Sequence, residues 1–157
     1  KYVRELSQAQ TSRILIVNTH HPIIDAILNQ KYQMAVESQI EMRFCINDLS
    51  GIQLSASELV VLLSNLLDNA IEACRRIDTE RLIRCTILEN DGSFLSIRNT
   101  SLPVLITEHG IATTKASASE HGYGLPSVCR ILDGLHAEYA YNYENGWFQF
   151  TAEIPKK

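Results

Sequence analysis

Asn65 and Asn69 stand four residues apart in a stretch that also holds Asp68 and Glu72. At 100° per residue, with Asn65 at zero, Leu59, Leu63, Leu66, Leu67, Ala70, Ile71 and Cys74 fall within about 100–240°. Asn65, Asp68, Asn69, Glu72 and Arg76 fall on the opposite side. The two carboxamides are therefore neighbours one turn apart on the polar face of an amphipathic helix. A solvated helix face is the simple alternative. Asparagine is a poor interior helix residue, however, up to about 0.7 kcal/mol worse than alanine, because its amide competes for backbone hydrogen bonds. Breaking a local rule in this way marks a functional site. Carboxamide and carboxylate oxygens suit Mg²⁺, a hard cation that keeps several waters and shares its substrate's phosphate oxygens.

A second signal is His121-Gly122-Tyr123-Gly124-Leu125-Pro126. Glycines let backbone N–H groups approach an anion, and the helix that follows points its positive end at them. Alone, this pattern is also that of a plain helix-entry turn. It follows a long polar stretch, 100–121, that lacks a clear period and reads as a lid. Lys115 in that stretch is a mobile cation for phosphate.

The elements that must position these groups follow from periodicity and punctuation. Pro22 opens a helix over 22–38. Residues 41–46 alternate as a strand. Ser55 or Ser57 caps a helix that runs to Arg76. Strands over 81–88 and 93–99 flank an Asn90-Asp91-Gly92 turn. A helix over 125–132 is closed by Gly134. Strands over 137–143 and 147–154 flank Glu144-Asn145-Gly146, and Tyr139, Tyr141 and Tyr143 read as sheet packing. This order predicts an α+β fold, a two-layer sandwich with helices on one face of a mixed sheet. Residues 1–19 read as a linker or the tail of a preceding helix, and 20–157 as the domain.

Composition narrows the function. The 157 residues carry 14 Lys and Arg against 18 Asp and Glu, a net charge of −4. That disfavours nucleic acid and anionic membranes as direct partners. No apolar run approaches the ~20 residues of a membrane span. A chain this long buries roughly 70% of its unfolded surface and needs no metal or disulfide staple. Cys45, Cys74, Cys85 and Cys129 contain no C-x-x-C pair. They read as reduced core thiols of a cytoplasmic protein. His20 and His21 read as exposed linker residues, and His109 and His136 as structural or exposed.

The string Asn65-Leu66-Leu67-Asp68-Asn69-Ala70-Ile71-Glu72-Ala73 resembles the N box of sensor histidine kinases. Thr113-Thr114-Lys115, followed by His121-Gly122-Tyr123-Gly124-Leu125, resembles their lid and second glycine box. Asn18-Thr19 and residues 25–31 resemble the domain's opening helix. The wording is similar to the Gram-positive peptide-pheromone group of quorum-sensing receptors, the accessory-gene-regulator type. The resemblance implies the GHKL (Bergerat) ATP-binding fold, with ATP and Mg²⁺ as cofactors. It implies that Asn69 ligates Mg²⁺, that Gly122 and Gly124 meet the phosphates, that Lys115 neutralises them, and that His121, Tyr123 and Leu125 line the same site. Asn65 stands where the related ATPases carry a glutamate base. An amide cannot take a proton from water, which favours kinase over ATPase.

Two positions depart from the pattern. No Asp-x-Gly-x-Gly box follows the strand, and Asn99 stands where its adenine-reading Asp would. Asn99 shares a face with Leu95 and Ile97, so it can point inward and accept from an amine, without charge. Nucleotide binding weaker than about micromolar is expected. Glu72 stands where most such kinases carry Lys, and Arg76 is expected to pair with it. The resemblance also implies partners: a dimerisation and phosphoacceptor domain preceding this chain, and a response regulator. The fragment is expected to be monomeric and cytoplasmic, and the full receptor a membrane-bound homodimer. The rival readings are an anti-sigma-type serine kinase on the same fold and a nucleotide-free docking module.

Overall fold

A computed structural model describes residues 16–107, 110–111 and 124–157. Helix α1 (Pro22–Glu37) starts at His21, whose Nδ1 accepts the Ile24 N–H at 3.4 Å. His20 takes φ 67° and its ring bonds Asp48 at 3.0 Å. His20 is exposed as expected, but the two histidines serve as a turn anchor and a helix cap rather than as linker residues. Ile24, Ile27, Leu28 and Ala35 bury the helix's apolar stripe, and Lys31 lies on that stripe with them. Gln39, at φ 58°, ends the helix: Ile40 N–H donates to the Ala35 carbonyl at 2.8 Å. The chain reverses there into strand β1 (Glu41–Ile46).

Helix α2 (Ala56–Arg75) is capped by Ser55, whose hydroxyl accepts the Glu58 N–H while the Glu58 carboxylate accepts the Ser55 N–H. This reciprocal cap satisfies two orphan donors. Every residue of the expected core arc is buried, with Leu62 in addition. Each such Leu or Ile contributes roughly 1.5–3 kcal/mol by leaving water.

Strands β2 (Leu82–Asn90) and β3 (Gly92–Thr100) form a hairpin longer than the sequence suggested, with Asn90 paired to Gly92. Gly92 sits at φ 113°, and a Cβ there would lie 2.7 Å from the Ile154 carbonyl oxygen. No other residue fits this position without a shift of backbone. A small hairpin of β4 (Ile106–Thr107) and β5 (Gly110–Ile111) lies within the stretch expected to lack regular structure. Two residues can pair through their backbones without any side-chain period to announce them.

Helix α3 (Gly124–Gly134) includes Gly134, which therefore does not close it. His136 does, at φ 58°, with Ala137 N–H donating to the Leu132 carbonyl at 2.9 Å. This six-to-one bond needs a left-handed residue but does not demand glycine. Strands β6 (Glu138–Glu144) and β7 (Trp147–Ile154) join through Asn145-Gly146 alone, both at positive φ. That two-residue turn matches the sheet's right-handed twist, so Glu144 remains in the strand.

The five-stranded sheet has the order β1-β2-β3-β7-β6. β1 runs parallel to β2 and the other pairs are antiparallel, so the sheet is mixed. Its inner rows, such as Cys85, Ile97, Phe150 and Tyr141, meet α1, α2 and α3 in one core. Tyr139 and Tyr141 both stack on Phe150, the packing expected of them. Cys74 and Cys85 are buried in this core and Cys129 is half-buried, whereas Cys45 is exposed on an edge strand. Burial pushes the Cys85 thiol up to about 12. The description of Cys45 as a core thiol is corrected: alternation along β1 puts it outward, opposite to Met42 and Phe44.

Candidate functional site

Helix α2 presents its polar face between two flanks. On one flank lies α1. Lys31, 8% exposed at its side chain, reaches Asp68 with an Nζ–Oδ1 distance of 2.7 Å. Arg75 Nε donates to the Ser38 hydroxyl at 2.8 Å beyond the end of α1. Glu72 takes a long ion pair from Arg75 at 3.9 Å.

On the other flank lies the start of α3. Gly124 is buried there, against both asparagines. The point where its Cβ would sit is 3.5 Å from Asn65 Oδ1, 3.5 Å from Asn69 Oδ1 and 3.4 Å from Asn69 Nδ2. Two carboxamide oxygens thus converge on one small space that a side chain on Gly124 would fill. Asn65 is held in this pose by its own amide N–H, which donates to the Val61 carbonyl one turn back at 2.8 Å. That bond turns its oxygen outward, and it is the backbone competition that makes asparagine a poor helix former.

The structure therefore brings together Asn65, Asn69 and Gly124, with half-buried Leu125 next in line. Lys115, His121, Gly122 and Tyr123 lie outside the described residues. Asn99 is 2% exposed and faces inward, in register with Ile83 and Phe148. Its Nδ2 donates to the Thr100 carbonyl at 3.0 Å. Cys74 of α2 lies against the same residue, 3.5 Å from the Thr100 carbonyl oxygen. The inward orientation expected from alternation is thus present, in the sheet beneath α2.

Among the described residues, no group of three or more His, Cys, Asp or Glu side chains could hold a metal. A cation at Asn65 and Asn69 would take oxygen from an amide and complete its shell from a ligand and water. That donor set fits Mg²⁺, which binds through few protein groups and substrate phosphates.

Lys31 and Asp25 carry structural roles that sequence reasoning did not isolate. Asp25 Oδ1 accepts the Thr19 N–H at 2.7 Å, and the Asn29 side chain holds Val17 from both sides of its peptide. These bonds fasten residues 16–19 to α1. For Lys31 a signal existed: it occupies a position of the stripe shared by Ile24, Ile27, Leu28 and Ala35, where a lysine needs a partner.

The fold is an α+β sandwich in which α2 offers two amides to the start of α3. The chain belongs to the GHKL domain family, whose model matches residues 54–155. It shares its fold with histidine kinase catalytic domains. The nucleotide-free catalytic domain of histidine kinase ThkA is 19% identical, with a TM-score of 0.67 over 88% of this chain and 94% of that one. The Acinetobacter baumannii histidine kinase AdeS is 14% identical, with a TM-score of 0.64 over 96% of this chain and 73% of that one. The mycobacterial sensor histidine kinase MprB is 16% identical, with a TM-score of 0.60 over 85% and 93% respectively. No curated protein sequence matches the chain. No helix among the described residues is long and apolar enough to cross a membrane.

Proposed function

We propose that this chain is the ATP- and Mg²⁺-binding catalytic domain of a two-component sensor histidine kinase. It would deliver the γ-phosphoryl group to a histidine on a separate dimerisation domain. The observation that carries the reading is the convergence of the Asn65 and Asn69 oxygens on the space left open at Gly124. Membership of the GHKL family and the shared fold support it.

In this reading Asn69 holds Mg²⁺ through its side-chain oxygen. Bound Mg²⁺ supplies charge neutralisation to the phosphates. Gly124, at the first turn of α3, keeps backbone within reach of the phosphate oxygens, where the helix dipole favours negative charge. Lys115, with Gly122, Tyr123, His121 and Leu125, completes the phosphate-facing wall. Asn65 orients groups without accepting a proton, so water is left unactivated and the phosphoryl group is kept for the histidine. Asn99 faces the base from the sheet as a neutral acceptor, which weakens adenine binding relative to a carboxylate. The partners are the chain's own phosphoacceptor domain and a response regulator. The residue strings favour the peptide-pheromone group and a cytoplasmic location beside a membrane receptor.

Thermal unfolding with and without millimolar ADP and Mg²⁺ tests the site. Ligand at ~100 times its dissociation constant adds about 2.7 kcal/mol. For a domain of this size that is a rise of roughly 5–10 °C. A rise that requires Mg²⁺ supports the reading, and no shift at saturating nucleotide overturns it in favour of a docking module. With the acceptor domain supplied, an acid-labile phosphoryl product supports histidine transfer. An acid-stable one points to serine.

A further inference from the structure

None of the described helices covers the outer face of the five-stranded sheet; α1, α2 and α3 all pack on the inner core. On that outer face Arg84 of β2 stands directly opposite Arg98 of β3. Like charges in this position repel. Both guanidiniums gather over the indole of Trp147 of β7, at 5.4 Å for Arg84 and 4.7 Å for Arg98. The ring's negative face offsets part of their repulsion and holds them together. Among the described residues neither forms an ion pair with a carboxylate. Arg98 Nε is buried and finds no hydrogen-bond partner among the described residues. Such a donor carries a desolvation cost that its own chain does not repay.

The chain is acidic overall, with 18 carboxylates, so the lack of a partner is not a shortage of acids. Glu144 lies in register with Trp147 and still forms no ion pair with either arginine. Each guanidinium is a planar fork of donors that matches a carboxylate in bidentate geometry. The half-buried Trp147 beside them adds a flat apolar surface. Tryptophan and arginine together are the residues that carry binding energy at protein interfaces, and a small inorganic anion would leave the indole unused.

We infer that Arg84, Arg98 and Trp147 form a docking platform for an acidic segment of a partner protein, with carboxylates on the guanidiniums and an apolar side chain on the indole. The platform lies across the sheet from Asn65 and Asn69 and does not rest on the nucleotide reading.

Trp147 is the chain's single tryptophan, so its fluorescence reports on this platform alone. The experiment titrates the 157-residue chain with a short acetylated and amidated peptide of Glu and Ser carrying one Leu. The expected result is a saturable emission change, suppressed at 1 M salt, where the screening length falls to ~3 Å. Arg84→Gln and Arg98→Gln should each weaken it by about tenfold, about 1.4 kcal/mol. Both variants relieve like-charge repulsion and should melt no lower than the parent. Their response to ADP and Mg²⁺ should be unchanged, which separates this platform from the nucleotide site. No emission change overturns the inference, as does an equal change with the Gln-for-Glu peptide. So does an equal response to inorganic phosphate or to phosphatidylserine vesicles, or a response retained in both variants.

Discussion

Asp68 and Asn69 are adjacent on α2 and turn to opposite flanks with opposite consequences. On the α1 flank the polar groups are paired: Asp68, 49% exposed, holds a lysine only 8% exposed. On the α3 flank a buried glycine faces the asparagines, and a Cβ on it would meet their amide atoms at 3.4–3.5 Å. The first flank spends its polar groups on holding two helices together. The second turns its amides toward the start of α3. Polar residues on one helix face therefore cannot be read as a unit; what faces each of them decides its role.

The sharpest way to break this contrast is Asn69→Ala. We expect loss of all Mg²⁺-dependent nucleotide stabilisation and of phosphoryl transfer by a hundredfold or more, on the order of 3 kcal/mol. Its melting temperature without ligand should stay close to the parent's. Retained Mg²⁺-dependent stabilisation would remove Asn69 from the site.

The neighbouring change, Asp68→Ala, should do the reverse. It leaves the Lys31 ammonium buried without its counter-charge, at a cost of about 2 kcal/mol. That corresponds to a fall of roughly 4–8 °C in melting temperature, with the ADP·Mg²⁺ increment intact. Lys31→Met removes the charge and keeps the volume, so it should cost less than Asp68→Ala. Equal losses for the two would show that the pair acts by packing alone.

Gly124→Ala closes the open flank. The added methyl meets ordinary van der Waals contact with both asparagines, and alanine is the better helix former. We expect unchanged or slightly higher stability together with nucleotide binding weaker by about tenfold, or 1.4 kcal/mol. Calorimetric titration on the folded variant checks this, and unaltered affinity would place the phosphates elsewhere.

The smallest effect belongs to the N-terminal side of α1. Hydrogen bonds from the Ser50 hydroxyl and N–H, with a further one from His20, bring the Asp48 carboxyl down from 3.8 to about 2. A carboxyl whose folded value is depressed adds stability above its unfolded value and loses it as pH falls. The parent should therefore lose a little stability between about pH 4 and pH 2, and Asp48→Asn should lose less across that window. Urea melts at each pH measure the difference.

How much was legible differs by element. Seven of the eight buried residues of α2, a cap at Ser55 or Ser57 and a turn at 144–146 were written in local patterns, whereas Leu62 was not. The inward face of Asn99 followed from strand alternation. Gly134 misled, because a glycine near a helix end suggests a stop while the left-handed position fell on His136 two residues later. Histidine can occupy that region when the six-to-one bond and the packing around it supply the compensation. Cys45 misled because thiols are usually buried, whereas the alternation of β1 turned this one out.

By itself, the sequence determined which faces are apolar, where helices start and where the last hairpin turns, because these depend on neighbours within a turn or two of chain. Only the tertiary structure decided that Lys31 meets Asp68, that Gly124 meets Asn65 and Asn69, and that Arg84, Arg98 and Trp147 gather on one surface. Those contacts join residues tens of positions apart. They arise from the packing of helices on a sheet whose strand order no local period encodes.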